Sequence, residues 1–293
     1  MPVNDFLKKF LDYLRGDLRR SPKTLEAYDL YLTRFFEWLK REKIVALEKI
    51  DGQTIGRYKK WLKLFKSESG KRLSAKTFNY HLIALRMLFV FLRRKNSKLL
   101  APELITLGAQ ERSSVAFLND RELVKLLDAP MSEMEVLPEK VSIQLRDKAI
   151  LEFLFATGAK MADTIKLKRI DLKKFRIGQQ AQYWLKKYLS SRGDKLPYLF
   201  VSYDRASAAR NKSELSVAAL TPRSLQRIVR RHAMAAGLDK KVTPQVLRNT
   251  FARRLLADGA TIKEIKKGMD FSSDLAAKLY IDSLKRERGR TGG

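Results

Sequence analysis

Apolar residues recur at intervals of three and four along most of this chain, a period that dictates helices rather than strands. Ser21-Pro22 is an N-cap followed by proline at the first helical position. Leu25, Tyr28, Leu32, Phe35, Phe36 and Leu39 then form one apolar stripe. Phe6, Phe10, Leu14 and Leu18 make an earlier stripe, and Ile55, Tyr58, Trp61, Leu62 and Phe65 a later one. Phe78, Leu82, Leu85, Phe89 and Leu92 follow Ser74 in the same rhythm. Four such helices within residues 1–100 imply one all-α domain whose aromatics serve as core.

The rhythm lapses over residues 95–116, where Asn96, Ser97, Pro102, Gly108, Ser113 and Ser114 mark a linker, expected over 101–116. A second, mostly helical domain is expected over 117–293. Thr221-Pro222 opens a helix that turns Leu225, Ile228, Val229 and Ala235 inward and stops at Gly237. Thr243-Pro244 opens another, carrying Leu247, Phe251 and Leu255 and stopped by Asp258-Gly259. Thr261 and Glu264 form a capping box ahead of a short helix that ends at Gly268. Between 170 and 215 the pattern weakens, and Tyr198 to Val201 reads as one short strand. The basic stretch from Lys285 to Arg290 reads as a frayed, solvated tail.

The 293 residues hold 61 Lys+Arg against 32 Asp+Glu, a net charge of +29. Residues 1–100 contribute 24 against 10, and the remainder 37 against 22, so both halves are basic. Positive charge of that extent suits a polyanionic partner, nucleic acid first. There is no cysteine and there are only two histidines, His81 and His232, which excludes a disulfide, a thiolate nucleophile and a multi-His metal site. No metal and no other cofactor is expected. No apolar run is long enough to span a bilayer, and Met1 to Phe6 lacks the order of a signal peptide, so a cytoplasmic, nucleoid-associated protein without a membrane partner is expected. Arg223, Arg227, Arg230 and Arg231 share one helix face, a pattern that fits either a solvated surface or a row of DNA phosphate contacts.

Four local patterns go further. Thr157-Gly158-Ala159-Lys160-Met161-Ala162-Asp163 follows an apolar helix; Leu220-Thr221-Pro222 precedes Ile228 to Ala233. Thr243-Pro244-Gln245-Val246-Leu247-Arg248-Asn249-Thr250-Phe251-Ala252 comes next, then Phe271-Ser272-Ser273 and, nine residues after Phe271, Tyr280. In this order they closely resemble the tyrosine recombinases, the Xer and phage-integrase family, over nearly the whole chain. Ser21 to Tyr28 and Leu82 to Phe89 are similar to that family's helical core-binding domain. The resemblance implies a mainly α, two-domain architecture: a helical SAM-like DNA-binding domain and a mostly helical catalytic-type domain with a reduced β-hairpin region.

The resemblance also implies a chemistry. A tyrosine hydroxyl attacks a DNA phosphate, leaving a 3′-phosphotyrosyl bond and a free 5′-hydroxyl, and no cofactor is consumed. Two Arg forks hold the non-bridging oxygens of the transition state, a hairpin Lys protonates the leaving oxygen, and two His (the second sometimes Trp) assist. On this chain Tyr280 falls at the nucleophile and Arg248 at the second Arg. The other positions are substituted: Lys160 stands at the first Arg, Gln245 at the His of the H-x-x-R box, and Phe271 at the last His/Trp, preceded by Asp270 in place of Gly. Too few residues lie between Asp171 and the Trp184-Leu185 helix for a hairpin, so Lys173 and Lys174 are only the nearest candidates for its lysine. Losing a general acid or base costs ~10²–10⁴-fold and an oxyanion donor ~10²–10³-fold.

The expectation is therefore a homologue that clamps duplex DNA but cleaves and exchanges strands poorly or not at all, a pseudoenzyme acting as a homo-oligomer or beside an active recombinase subunit. The alternatives are an active site-specific recombinase working through Tyr280 and a non-enzymatic DNA-binding regulator or nucleoid protein. Tyr280 also has a plain packing role open to it, together with Leu275 and Leu279 on the last helix.

Overall fold

The structure is a computed structural model that describes residues 3–109, 115–132, 138–204 and 216–288. The chain divides into two compact units, Met1–Ser113 and Ser114–Gly293. The first holds α1 (Val3–Gly16), α2 (Pro22–Arg41), α3 (Gly52–Leu64) and α4 (Ala75–Arg93). The starts of α2, α3 and α4 are fixed by side chains that accept from otherwise orphaned backbone N–H groups. Ser21 accepts from Thr24 N at 3.2 Å, Asp51 from Thr54 N at 2.7 Å and Ser74 from Thr77 N at 3.1 Å. The stripes meet in one core around Phe10, Leu32, Phe35, Tyr58, Leu82 and Phe89, with the Phe35 and Tyr58 rings edge-on at 4.8 Å. Of the aromatics singled out in the sequence, Phe10, Phe35, Phe36, Tyr58, Phe78 and Phe89 are buried in this core, Phe6, Tyr28 and Trp61 pack on its edge, and Phe65 lies half-buried under Arg34.

The expected linker begins with residues that remain tied to the first unit. Asn79 donates Nδ2 to the Gly108 carbonyl at 3.1 Å and accepts from the Gly108 N–H at 2.8 Å. Arg86 and Lys59 bond the carbonyls of Ile105 and Thr106 at 2.6 and 2.9 Å. Side chains, not periodicity, hold this segment, which is why the sequence reads as loop there.

In the second unit α5 (Asp120–Asp128) is opened by a capping box between Asn119 and Glu122. The long α6 (Pro138–Thr157) follows, with Ala149, Ile150, Leu151, Phe153 and Leu154 fully buried. Helix α6 lies against α8 (Gln179–Ser190) and α10 (Pro244–Ala257). Between them run a single turn, α7 (Met161–Thr164), and a 3₁₀ segment, Arg169–Lys174. No strand forms between residues 165 and 190, in keeping with the short segment after Asp171. One isolated bridge, Lys168 to Tyr198, is all the pairing this segment makes.

The sheet is two-stranded: β1 (Val201–Asp204) pairs antiparallel with β2 (Ser216–Ala219), in register from Val201↔Ala219 to Asp204↔Ser216. The strand expected at Tyr198–Val201 begins three residues later, because Tyr198 and Leu199 pair with the residues just ahead of the 3₁₀ segment: Leu199 N–H donates to the Leu167 carbonyl at 2.7 Å. Strand β2 has a single β-branched residue and gives no sequence signal. Helices α9 (Pro222–Ala235), α11 (Ile262–Gly268) and α12 (Asp274–Arg288) complete the unit. In α9 it is Ala233 that is buried while Ala235 is exposed, one turn-position off the expected stripe. Helix α12 continues through Arg288, so the expected frayed tail is helical over most of its length; Gly289 and Arg290 lie outside the described residues.

Two buried polar clusters pin these helices. In the second unit Asp147, fully buried on α6, takes Arg146 at 2.7 Å and His232 at 2.9 Å, and also accepts from Arg231. Burial opposes its charge, but the His232 bond and the two guanidinium groups hold its carboxyl below the ordinary range. In the first unit buried His81 sits 3.0 Å from Arg34 Nη1, an arrangement that suits a neutral imidazole accepting the bond. Burial, reinforced by the Arg34 charge, pushes His81 from 6.5 down to about 3.

The unfolded chain therefore binds a proton at His81 that the folded unit refuses. The contribution is complete above pH 6.5 and is lost as pH falls toward 3. In denaturant titrations the first unit should lose ~1.4 kcal/mol per pH unit from this group between about pH 6 and pH 4. His81→Gln, which can still accept from Arg34, should flatten that slope.

Candidate functional site

The site forms where the end of α6, the middle of α10, the segment after α11 and helix α12 converge. Gly158 closes α6 with φ at 56°, and a Cβ there would run into the Phe251 ring. This turn aims the Gly158 carbonyl at Arg248, whose guanidinium donates to it and to the Met269 carbonyl. Arg248 is 7% exposed, and burial lowers its pKa from the ordinary value. The guanidinium also lies 5.8 Å from the Phe271 ring centre.

Tyr280 reaches the site from α12. Its ring meets Phe271 at 5.0 Å, and its hydroxyl donates to Asn249 Oδ1 at 2.6 Å. Gln245 Nε2 donates to the same oxygen at 2.9 Å, and Asn249 Nδ2 is tied to the Ala116 carbonyl at 2.8 Å. Burial pushes Tyr280 up to about 12 despite the nearby Arg248 charge. Leu275 and Leu279, its expected packing companions, are 66% and 58% exposed. Tyr280 therefore turns inward without them. Nothing in the sequence marked Asn249, which holds both the tyrosine and the glutamine; its only signal is its place beside Arg248.

Lys160, the N-cap residue of α7, extends across to the other wall. Its Nζ donates to the Asp270 carbonyl at 3.0 Å and to Asp270 Oδ2 at 2.5 Å. Asp270 adopts φ 49°, a left-handed conformation, and the Lys160 bond holds its carboxyl below the usual range. Lys160, Asp270 and Arg248 share the wall of a cleft of about 910 Å³ with Lys174, Arg176 and Lys267. Lys174 is paired with Asp171 at 2.7 Å. Lys173 is exposed and is not among the cleft's lining residues.

The arginine row on α9 divides. Arg223, Arg227 and Arg230 are exposed, whereas Arg231 is engaged with buried Asp147. No group of acidic and histidine side chains among the described residues is placed to hold a metal ion. No helix among them is long and apolar enough to cross a membrane.

Residues 7–96 match the family model for the phage integrase N-terminal SAM-like domain, and residues 168–287 match that for the phage integrase family. The chain belongs to the tyrosine recombinase family. Tyrosine recombinase XerD of Chlorobaculum tepidum is 28% identical over 95% of this chain and 92% of that protein. Tyrosine recombinase XerC of Thermodesulfovibrio yellowstonii is 27% identical over 94% of this chain and 90% of the relative. Among solved structures, the Tn1549 transposon integrase in complex with circular intermediate DNA aligns over 98% of this chain and 99% of its own, with a TM-score of 0.69 at 15% identity. XerH site-specific recombinase bound to palindromic difH substrate aligns over 97% and 82%, with a TM-score of 0.65 at 20% identity. The architecture is the two-domain recombinase fold with a small two-stranded sheet.

Arg248 in this recombinase relative thus bridges two backbone segments. Arg248→Ala should lower the stability of the second unit by about 2 kcal/mol or more, since two carbonyls lose a charged donor. Arg248→Lys should recover little of it, because one ammonium cannot replace the two-ended fork. Denaturant unfolding of both variants measures this, and full rescue by lysine would contradict the bridging role.

Proposed function

We propose that this chain is a tyrosine-recombinase homologue whose two units both contact duplex DNA and whose strand cleavage and exchange are lost or strongly weakened. The observation that carries this reading is the state of the Tyr280 hydroxyl. It donates to an amide oxygen that already accepts from Gln245, and burial holds its pKa near 12. An amide oxygen does not act as a base near neutral pH, so no neighbour takes the proton that a nucleophilic tyrosine must lose.

The electrophilic side is weakened as well. Lys160 offers one ammonium where the family uses a planar fork, and that ammonium is neutralised by Asp270. Arg248 already serves two carbonyls. Phe271 supplies no hydrogen bond. The residues that would act in this reading are Tyr280, Arg248, Lys160, Gln245 and Phe271, with Lys174 the better placed of the two lysine candidates because it lines the cleft.

Binding rests on features that survive. The net charge of +29 is shared by both units, and Arg223, Arg227 and Arg230 stand free on α9. Lambda integrase is found as a dimer bound to a COC′ core site and as a tetramer bound to a Holliday junction. By extension, this chain assembles on DNA with further copies of itself or with an active recombinase subunit, in the cytoplasm and on the nucleoid.

One observation favours a working recombinase instead: Lys174, the nearer candidate for the general-acid lysine, lines the same cleft as Lys160 and Arg248, paired there with Asp171.

A nicked duplex carrying the bound site separates the two readings, because a nick beside the cleavage point lets the leaving strand diffuse away and traps any phosphotyrosyl intermediate. Denaturing gels should show no covalent adduct. A Tyr280-dependent adduct overturns the loss of chemistry. Non-covalent binding should weaken ~10³–10⁵-fold from 50 to 200 mM salt if ~6–10 phosphates are contacted. Arg223→Ala, Arg227→Ala and Arg230→Ala should each lower the salt slope by about one.

A further inference from the structure

We infer that Asp270 is an internal counterion: its carboxylate occupies the place beside Lys160 that a DNA phosphate takes, and DNA must displace it to engage that lysine. The inference rests on the DNA-binding reading above. Lys160 Nζ donates twice to Asp270, 2.5 Å to the carboxylate and 3.0 Å to the carbonyl. The two residues come from segments 110 positions apart and meet on the wall of the cleft that also presents Arg248, Lys174, Arg176 and Lys267. An acidic side chain set among those cations neutralises a lysine where an incoming anion would find several together; Asp163 and Glu264 also line the cleft.

The backbone supports a deliberate placement. Asp270 holds φ 49°, a region that Asn and Asp tolerate better than other non-glycine residues. That conformation follows the Met269 carbonyl taken by Arg248, so the Arg248 bridge and the Asp270 carboxylate are set by consecutive residues. The pair is also open to exchange. The Asp270 side chain is 81% exposed and Lys160 45%, and exposed ion pairs of this kind are weak. A phosphate arriving with its duplex can therefore replace the carboxylate.

Displacement of an internal counterion has a distinct signature. A free lysine that binds phosphate releases condensed cations from DNA and steepens the salt dependence. When the lysine instead exchanges a carboxylate for a phosphate, the carboxylate stays beside the duplex and offsets the lysine's charge there. The net release from that contact is then close to zero.

Duplex binding by the full chain tests this across a salt series, for the unaltered protein, Asp270→Asn, Lys160→Gln and the double variant, with Asp239→Asn as an exposed charge control outside the cleft. Asn keeps the shape and the left-handed backbone, and thermal melts confirm equal folding. Asp270→Asn should bind roughly two- to ten-fold tighter and steepen the slope of log K against log salt by about 0.9. With Lys160→Gln present, the same change should leave the slope unaltered. Asp270→Asn with an unchanged slope, a gain no larger than that of Asp239→Asn, or a gain that persists without Lys160 overturns the inference while leaving DNA binding intact. Failure of the unaltered chain to bind duplex DNA overturns the binding reading and this inference together.

Discussion

The second unit hangs on one guanidinium. Arg248 donates to the carbonyl that ends α6 and to the carbonyl that precedes Asp270, so it fixes two chain segments against the middle of α10. Each neighbouring feature inherits its position from this bridge. Gly158 must adopt a positive φ to present its carbonyl, and the space a side chain would need is filled by Phe251. The Met269 carbonyl sets where Asp270 begins, and Asp270 in turn receives Lys160. A buried cation is tolerable only when its donors are satisfied, and here backbone oxygens satisfy them.

The same rule governs the rest of the charge. A net +29 suggests a surface crowded with free cations, but several are committed inside the fold. Arg146 and Arg231 serve Asp147, Arg192 is tied to Asp194, and Lys148 lies buried between Asp128 and Glu152. They tie α6 to α9 and to the end of α5 and fix the turn after α8, and removing Asp147 or Asp194 would strand a buried guanidinium. The cations left for a polyanion are those with no buried partner, such as Arg223, Arg227 and Arg230.

Elements with a cap and a sustained apolar stripe were legible in the sequence, because both signals are local. The helices after Ser21, Ser74, Thr221, Thr243 and Thr261 all form where their caps place them. Features made by distant partners were not legible. Arg231 looked like its neighbours on the α9 face until Asp147, 84 positions away, claimed it. Strand β2 exists only by pairing with β1. The family pattern singled out Tyr280, Arg248, Lys160 and Phe271 as candidates, yet not what each touches: Asn249 under the tyrosine hydroxyl and Asp270 on Lys160 depend on how helices cross.

That distinction bears on what the two matching catalytic positions mean. Arg248 is buried and bridges two carbonyls; Tyr280 is half-buried, packs on Phe271 and bonds Asn249. Either would be costly to change for structural reasons alone. Lys160 and Gln245, where the family pattern is not met, are exposed, and changing an exposed side chain costs the fold little. Phe271, the third departing position, is half-buried like Tyr280, so the division between matching and departing positions follows burial only in part. A retained tyrosine and arginine are what packing alone would preserve, so their presence argues for the recombinase scaffold and not, by itself, for strand cleavage.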